Sequence, residues 1–132
     1  MPEAIWVSEC NITIPGPPVG KERPRHGKGG VVYTPTKTRR YESYCGMCAN
    51  VAKLQHSAFK KIIEQPTQLF IDFWIYHMRS FKQSPDADNV VKAVLDGLEG
   101  VIYENDRQVL PRVQSIEYAC KQPRVDIRIE II

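Results

Sequence analysis

The sequence is short of three things, and each shortage removes a class of protein. No stretch approaches the ~20 consecutive apolar residues of a membrane-spanning helix, which argues against a helical membrane protein. Four cysteines, Cys10, Cys45, Cys48 and Cys120, are too few and too irregularly spaced for a disulfide scaffold. Met1 to Glu9 lacks the basic-then-apolar pattern of a secretory signal. A reducing, cytoplasmic setting is therefore expected. Repeats, low-complexity tracts and internal linkers are missing too. The 132 residues are expected to form one domain, residues 1–132, able to bury a core without covalent staples.

What is present is an uneven distribution of charge. The net charge is only +3, but residues 1–64 hold 10 Lys/Arg against 5 Asp/Glu, and residues 65–132 hold 8 against 10. Within the basic half, Lys21, Arg23, Arg25, Lys28, Lys37, Arg39 and Arg40 are opposed by Glu22 alone. This basic segment, at about 20–41, is rich in Gly and Pro in its first part and is expected to be a loop that draws a polyanion. The spacing resembles phosphate contacts more than a base-reading helix, so binding by shape and a steep salt dependence are expected.

Hydrophobic periodicity gives an α+β fold: a mixed sheet of about four to five strands packed with two main helices. Residues 4–14 alternate as a first strand. Val31 to Tyr33 is expected to be a short strand. Thr36 or Thr38 is expected to cap a helix running to about Ile63, with Tyr41, Tyr44, Cys48, Val51, Ala52, Ala58 and Phe59 inward. Thr67 to Met78 reads as a central strand, apolar on both faces except at Asp72, which is expected either beside the active site, the favoured reading, or buried with a partner. Asp86 to Glu99 reads as a helix with Val90, Val91, Val94, Leu95 and Leu98 as its buried stripe, closed by Gly100. Gln108–Lys121 and Arg124–Ile132 are expected to be the last two strands.

The chemistry concentrates in Ser84-Pro85-Asp86-Ala87-Asp88-Asn89-Val90-Val91-Lys92. Pro85 disfavours helix at Ser84, so Asp86 and Asp88 fall at a helix start, where backbone amides favour negative charge. Lys92 and Asp96 follow Asp88 at intervals of four and share its face. Any one of these residues alone reads as ordinary capping with a surface ion pair. Asp106 adds weight: a helix of this length carries the chain ~20 Å out, and an extended return from Gly100 to Asp106 covers about the same distance. Three converging carboxylates would need a cation between them, and oxygen ligands with room for water describe Mg²⁺. A calcium-binding EF-hand loop does not fit, because its sixth and twelfth positions would be Val91 and Gly97.

With these residues in place the sequence resembles the RusA family of Holliday junction resolvases. The resemblance runs through Pro85-Asp86-Ala87-Asp88-Asn89, Lys92-Ala93, Asp96-Gly97-Leu98 and Asn105-Asp106-Arg107-Gln108-Val109. It extends to Pro15-Gly16-Pro17-Pro18-Val19-Gly20-Lys21, Arg23-Pro24-Arg25 and Tyr33-Thr34-Pro35. It implies an endonuclease that binds four-way junction DNA as a homodimer and makes paired nicks with Mg²⁺. It also implies Asp86, Asp88 and Asp106 as metal ligands and Lys92 as the catalytic lysine. One departure is Asn105, where many relatives carry a second acid.

Other readings stand beside this one. A catalytically inactive DNA-binding module of the same fold would keep the basic surface without cutting. A zinc or redox protein would centre on Cys45-Gly46-Met47-Cys48, but a structural zinc needs four ligands and no second pair of this kind exists. His26 is placed to touch phosphate, whereas His56 and His77 are expected to be structural.

Overall fold

Three alternating segments lie side by side in the sheet. Ile12, Phe73 and Ile127 are buried because period-two alternation turns every second side chain to the same side. In the computed structural model, which describes residues 9–33 and 35–132, the strands are β1 (Glu9–Pro15), β2 (Arg25–His26), β3 (Val32–Tyr33), β4 (Leu69–Tyr76), β5 (Val109–Glu117) and β6 (Arg124–Ile131). The helices are α1 (Thr36–Lys53) and α2 (Ala87–Leu98). The four long strands form one sheet in the order β1-β6-β4-β5, and β2 and β3 form a separate exposed hairpin. The first strand expected from sequence extends over residues 4–8, which lie outside the described residues.

β6 pairs antiparallel with both β1 and β4, whereas β4 and β5 run parallel with α2 as their crossover. Leu69, Ile71, Phe73 and Ile75 of β4 join Val90, Val94 and Leu98 of α2 and Tyr41, Cys45 and Ala49 of α1 in one core. Each fully buried side chain of this kind contributes roughly 1.5–3 kcal/mol. The mixed sheet and two main helices expected from periodicity are therefore present in a single α+β domain.

The helices touch closely. A methyl group added at Gly97 would lie 2.5 Å from the Glu42 carbonyl oxygen and 2.8 Å from Cys45 Cβ. One added at Gly46 would lie 2.9 Å from the Gly97 carbonyl oxygen. Only glycine at both positions lets the two backbones approach this far.

Three expectations are corrected. α1 ends at Lys53 and not near Ile63. Its 18 residues span ~27 Å, already the length of an eight-residue strand, so a longer helix would overrun the sheet it covers. The chain turns there, Lys53 Nζ donates to the Val101 carbonyl at 2.8 Å, and Phe59 is brought back into the core from a short 3₁₀ turn. Val51 and Ala58, expected inward, are exposed. Neither Thr36 nor Thr38 caps α1. Pro35 is the N-cap, and Thr38 is fully buried, its hydroxyl accepting from the Glu22 amide at 3.3 Å.

Asp72 does not reach the helices' side of the sheet. It points to the opposite face, fully buried beneath two arginines: Arg112 donates to it at 2.6 and 3.0 Å, Arg128 at 2.9 Å, and Gln114 at 3.0 Å. The guanidiniums of Arg112 and Arg124 stack on Phe70 and Tyr76 at 4.1 and 3.9 Å. Its role is to tie β4, β5 and β6 together.

Candidate active site

α2 begins where Pro85 leaves the chain extended. Asp86 is the N-cap, with φ −62° and ψ 146°, and its carbonyl accepts from the Val90 amide at 3.1 Å. Its carboxylate makes no capping hydrogen bond, so capping does not account for the side chain. Asp88 stands in the first turn, exposed. The Pro17–Glu22 segment packs on this helix start. The Lys21 amide donates to the Asn89 carbonyl at 2.8 Å, and a Cβ at Gly20 would meet Pro85 at 2.7 Å.

Asp106 arrives by a shorter route than an extended strand. The chain turns at Gly100, whose φ is +82°, and the Gly100 amide donates to the Tyr103 carbonyl at 2.8 Å. Asn105 then caps a 3₁₀ turn over Asp106–Gln108, accepting from the Arg107 amide at 2.9 Å. Buried Gln108 accepts from the Glu104 and Asn105 amides and donates to the carbonyls of Ile63 and Thr67. Asn105 thus has a capping task that an acid could also perform, and Asp106 is the one carboxylate of the pair.

The turn leaves Asp106 beside the C-terminal half of α2. Its amide donates to the Glu99 carboxylate at 2.9 Å, and its own carboxylate meets Lys92 Nζ at 3.2 Å. Lys92 also reaches Asp96 at 3.4 Å. Asp106 thus meets α2 at Lys92, one turn, or about 6 Å of rise, beyond Asp88. Among the described residues, no three Asp, Glu, His or Cys side chains stand close enough to hold a metal ion. The donors suit Mg²⁺ by chemistry, being carboxylates with solvent access, but they are not gathered within one chain.

Lys92 and Lys21 sit in one chain of opposite charges. Lys21 Nζ lies 2.6 Å from Glu42 and 3.0 Å from Asp96, with only about a fifth of each side chain exposed. Burial pulls the Lys21 ammonium down, but the hydrogen bonds to Glu42 and Asp96 outweigh it and the net shift is upward. Lys92 is raised chiefly by its hydrogen bond to Asp106, with Asp96 adding to it against burial. Both amines stay charged at neutral pH.

The remaining basic residues are differently placed. Arg23, Arg25 and Lys28 are exposed on or beside the β2–β3 hairpin, and Lys37, Arg39 and Arg40 are exposed on the first turns of α1. Arg25 pairs with Glu22 at 3.2 Å. Lys21, grouped with them in the sequence, is instead engaged by carboxylates. Arg79 and Lys82, not singled out from sequence, line adjoining clefts of about 370 and 420 Å³ that share Lys37 and lead to Pro85. The available signal was their position in the polar loop just before Ser84-Pro85-Asp86.

The cysteine motif is part of the core. Cys45 is fully buried, and desolvation first, then the neighbouring Cys48, pushes its thiol up to about 12. Burial raises Cys48 as well. Protonated thiols are poor metal ligands and poor nucleophiles. His77 is also structural: it is buried, lowered by desolvation, and stacked on Tyr118 at 5.3 Å.

Comparison with known proteins agrees with the motif reading. The chain is 29% identical over 138 residues to the uncharacterized protein YqaN of Bacillus subtilis (strain 168), an alignment covering 89% of this chain and 93% of that one. Residues 15–130, from the end of β1 through most of β6, match the family model of endodeoxyribonuclease RusA, and the chain belongs to that family.

Proposed function

We propose that the protein is a Mg²⁺-dependent, structure-selective endonuclease that resolves four-way DNA junctions as a homodimer by paired, symmetric nicks in the cytoplasm. The observation that carries this reading is the exposed carboxylate pair Asp86 and Asp88 at the start of α2, next to clefts lined by Lys37, Arg79 and Lys82, in a chain of this family.

Asp86, Asp88 and Asp106 would hold the ion, which supplies Lewis acidity and an activated water when bound. The protein's own contribution is positioning and charge. Arg23, Arg25, Lys28, Lys37, Arg39 and Arg40 take phosphates and set the register of the DNA. Lys92 presents a fixed ammonium to the negative charge that grows on the phosphodiester. The homodimer answers a second need besides two cuts: carboxylates that one chain holds apart can come together when Asp86 and Asp88 of one copy face Asp106 of the other.

The test is incubation of purified protein with a synthetic four-way junction and a matching linear duplex, with and without Mg²⁺. Paired nicks on the junction alone, and only with metal, are expected. Binding without cutting would indicate the inactive module of the same fold, and neither binding nor cutting would defeat the reading.

A further inference from the structure

Lys21 is out of keeping with its neighbours in sequence. It belongs to a run of cations that otherwise face solvent, yet its ammonium is enclosed by Glu42 from α1 and Asp96 from α2 at 2.6 and 3.0 Å. Its backbone amide is tied to Asn89. A lysine so held has little to offer a phosphate, because leaving two carboxylates unpaired would offset most of the gain.

Its position suggests a different task. The Asp96 carboxylate uses one oxygen for Lys21, at 3.0 Å, and the other for Lys92, at 3.4 Å. The order Glu42–Lys21–Asp96–Lys92–Asp106 links α1, the Pro17–Glu22 segment, α2 and the turn before β5. With Lys21 removed, Asp96 is free to rotate and to draw Lys92 wholly to itself.

We infer that Lys21 is a positioning residue, which orients the Lys92 ammonium through Asp96 and does not contact DNA. The inference rests on the proposed role of Lys92 in phosphodiester cleavage. Glu42 acts one step further out, by setting where Lys21 sits.

Lys21→Met, Asp96→Asn, the double variant and Lys21→Arg would be compared with wild type, after circular dichroism confirms each fold. The readouts are single-turnover junction cleavage, KM, and the slope of log affinity against log salt without metal. Lys21→Met should cut about tenfold more slowly with KM and salt slope unchanged. Asp96→Asn should do the same, the double variant should be no slower than either, and Lys21→Arg should recover most of the rate. A salt slope shallower by about 0.9, the loss of one phosphate contact, would overturn the inference, as would additive losses or an unchanged rate. Failure of wild type to cut any junction would instead remove the functional reading beneath it, and this inference with it.

Discussion

At the scale of single residues, Asp72 has the clearest consequence. Burial alone would raise its carboxyl, but Arg112, Gln114 and Arg128 outweigh it and hold the group below the ordinary carboxylate range. A carboxylate lowered in the folded state stabilises it fully above its unfolded value, near ~3.9, and that stabilisation is lost as pH falls through the lowered folded value. Asp72→Asn should therefore cost about 2 kcal/mol at neutral pH, measured by urea unfolding. The gap to wild type should narrow below about pH 4, and a gap independent of pH would contradict the assignment. This residue also marks a limit of sequence reading. Alternation placed Asp72 on the opposite face of β4 from Ile71 and Phe73, correctly, but could not say what covered it, because its partners arrive 40 and 56 residues later. The placement of Asp86, Asp88 and Lys92 on α2 was legible because proline, aspartate and the four-residue spacing act locally; the direction Lys92 turns was not, because Asp106 and Asp96 decide it.

At the scale of elements, β1, β4, β6 and α2 follow their periodicity closely, while β5, exposed along most of its length, and the end of α1 do not. Phe59 and Ile63 continue the inward phase set by Tyr41, Cys45 and Ala49, so nothing local announces the turn after Lys53. The turn at Gly100 was read as a helix end, but not as a change from extended to compact return, and that difference moved Asp106 from one end of α2 towards the other. The contact between α1 and α2 makes its own prediction. Gly97→Ala would force a methyl group against the Glu42 carbonyl, and overpacking of this kind costs about 1–3 kcal/mol. Thermal unfolding of the variant should show a clear drop in Tm, and an unchanged Tm would mean that the helices separate at no cost.

At the scale of the whole molecule, the separation of Asp106 from Asp86 and Asp88 gives the proposed homodimer an unusual signature. If each centre draws on both copies, Asp88→Asn and Asp106→Asn should each be inactive alone. Mixed after unfolding and refolding together, they should regain activity, because the mixed dimer holds one centre with every carboxylate intact. The products should be single nicks in place of paired ones. No recovery on mixing would place each complete centre within one chain.

If Arg39 and Arg40 take phosphates and Asp86 and Asp88 serve the cut, as proposed, the glycine contact also sets a distance along the DNA. Arg39 and Arg40 ride on α1, Asp86 and Asp88 on α2, and the bare backbone contact fixes the two helices like the jaws of a caliper. A methyl group between them would open the jaws by on the order of 1 Å, less than the 3.4 Å from one nucleotide to the next. The blade would still fall at the same phosphodiester, but out of line with it, so the cut would become rarer without moving.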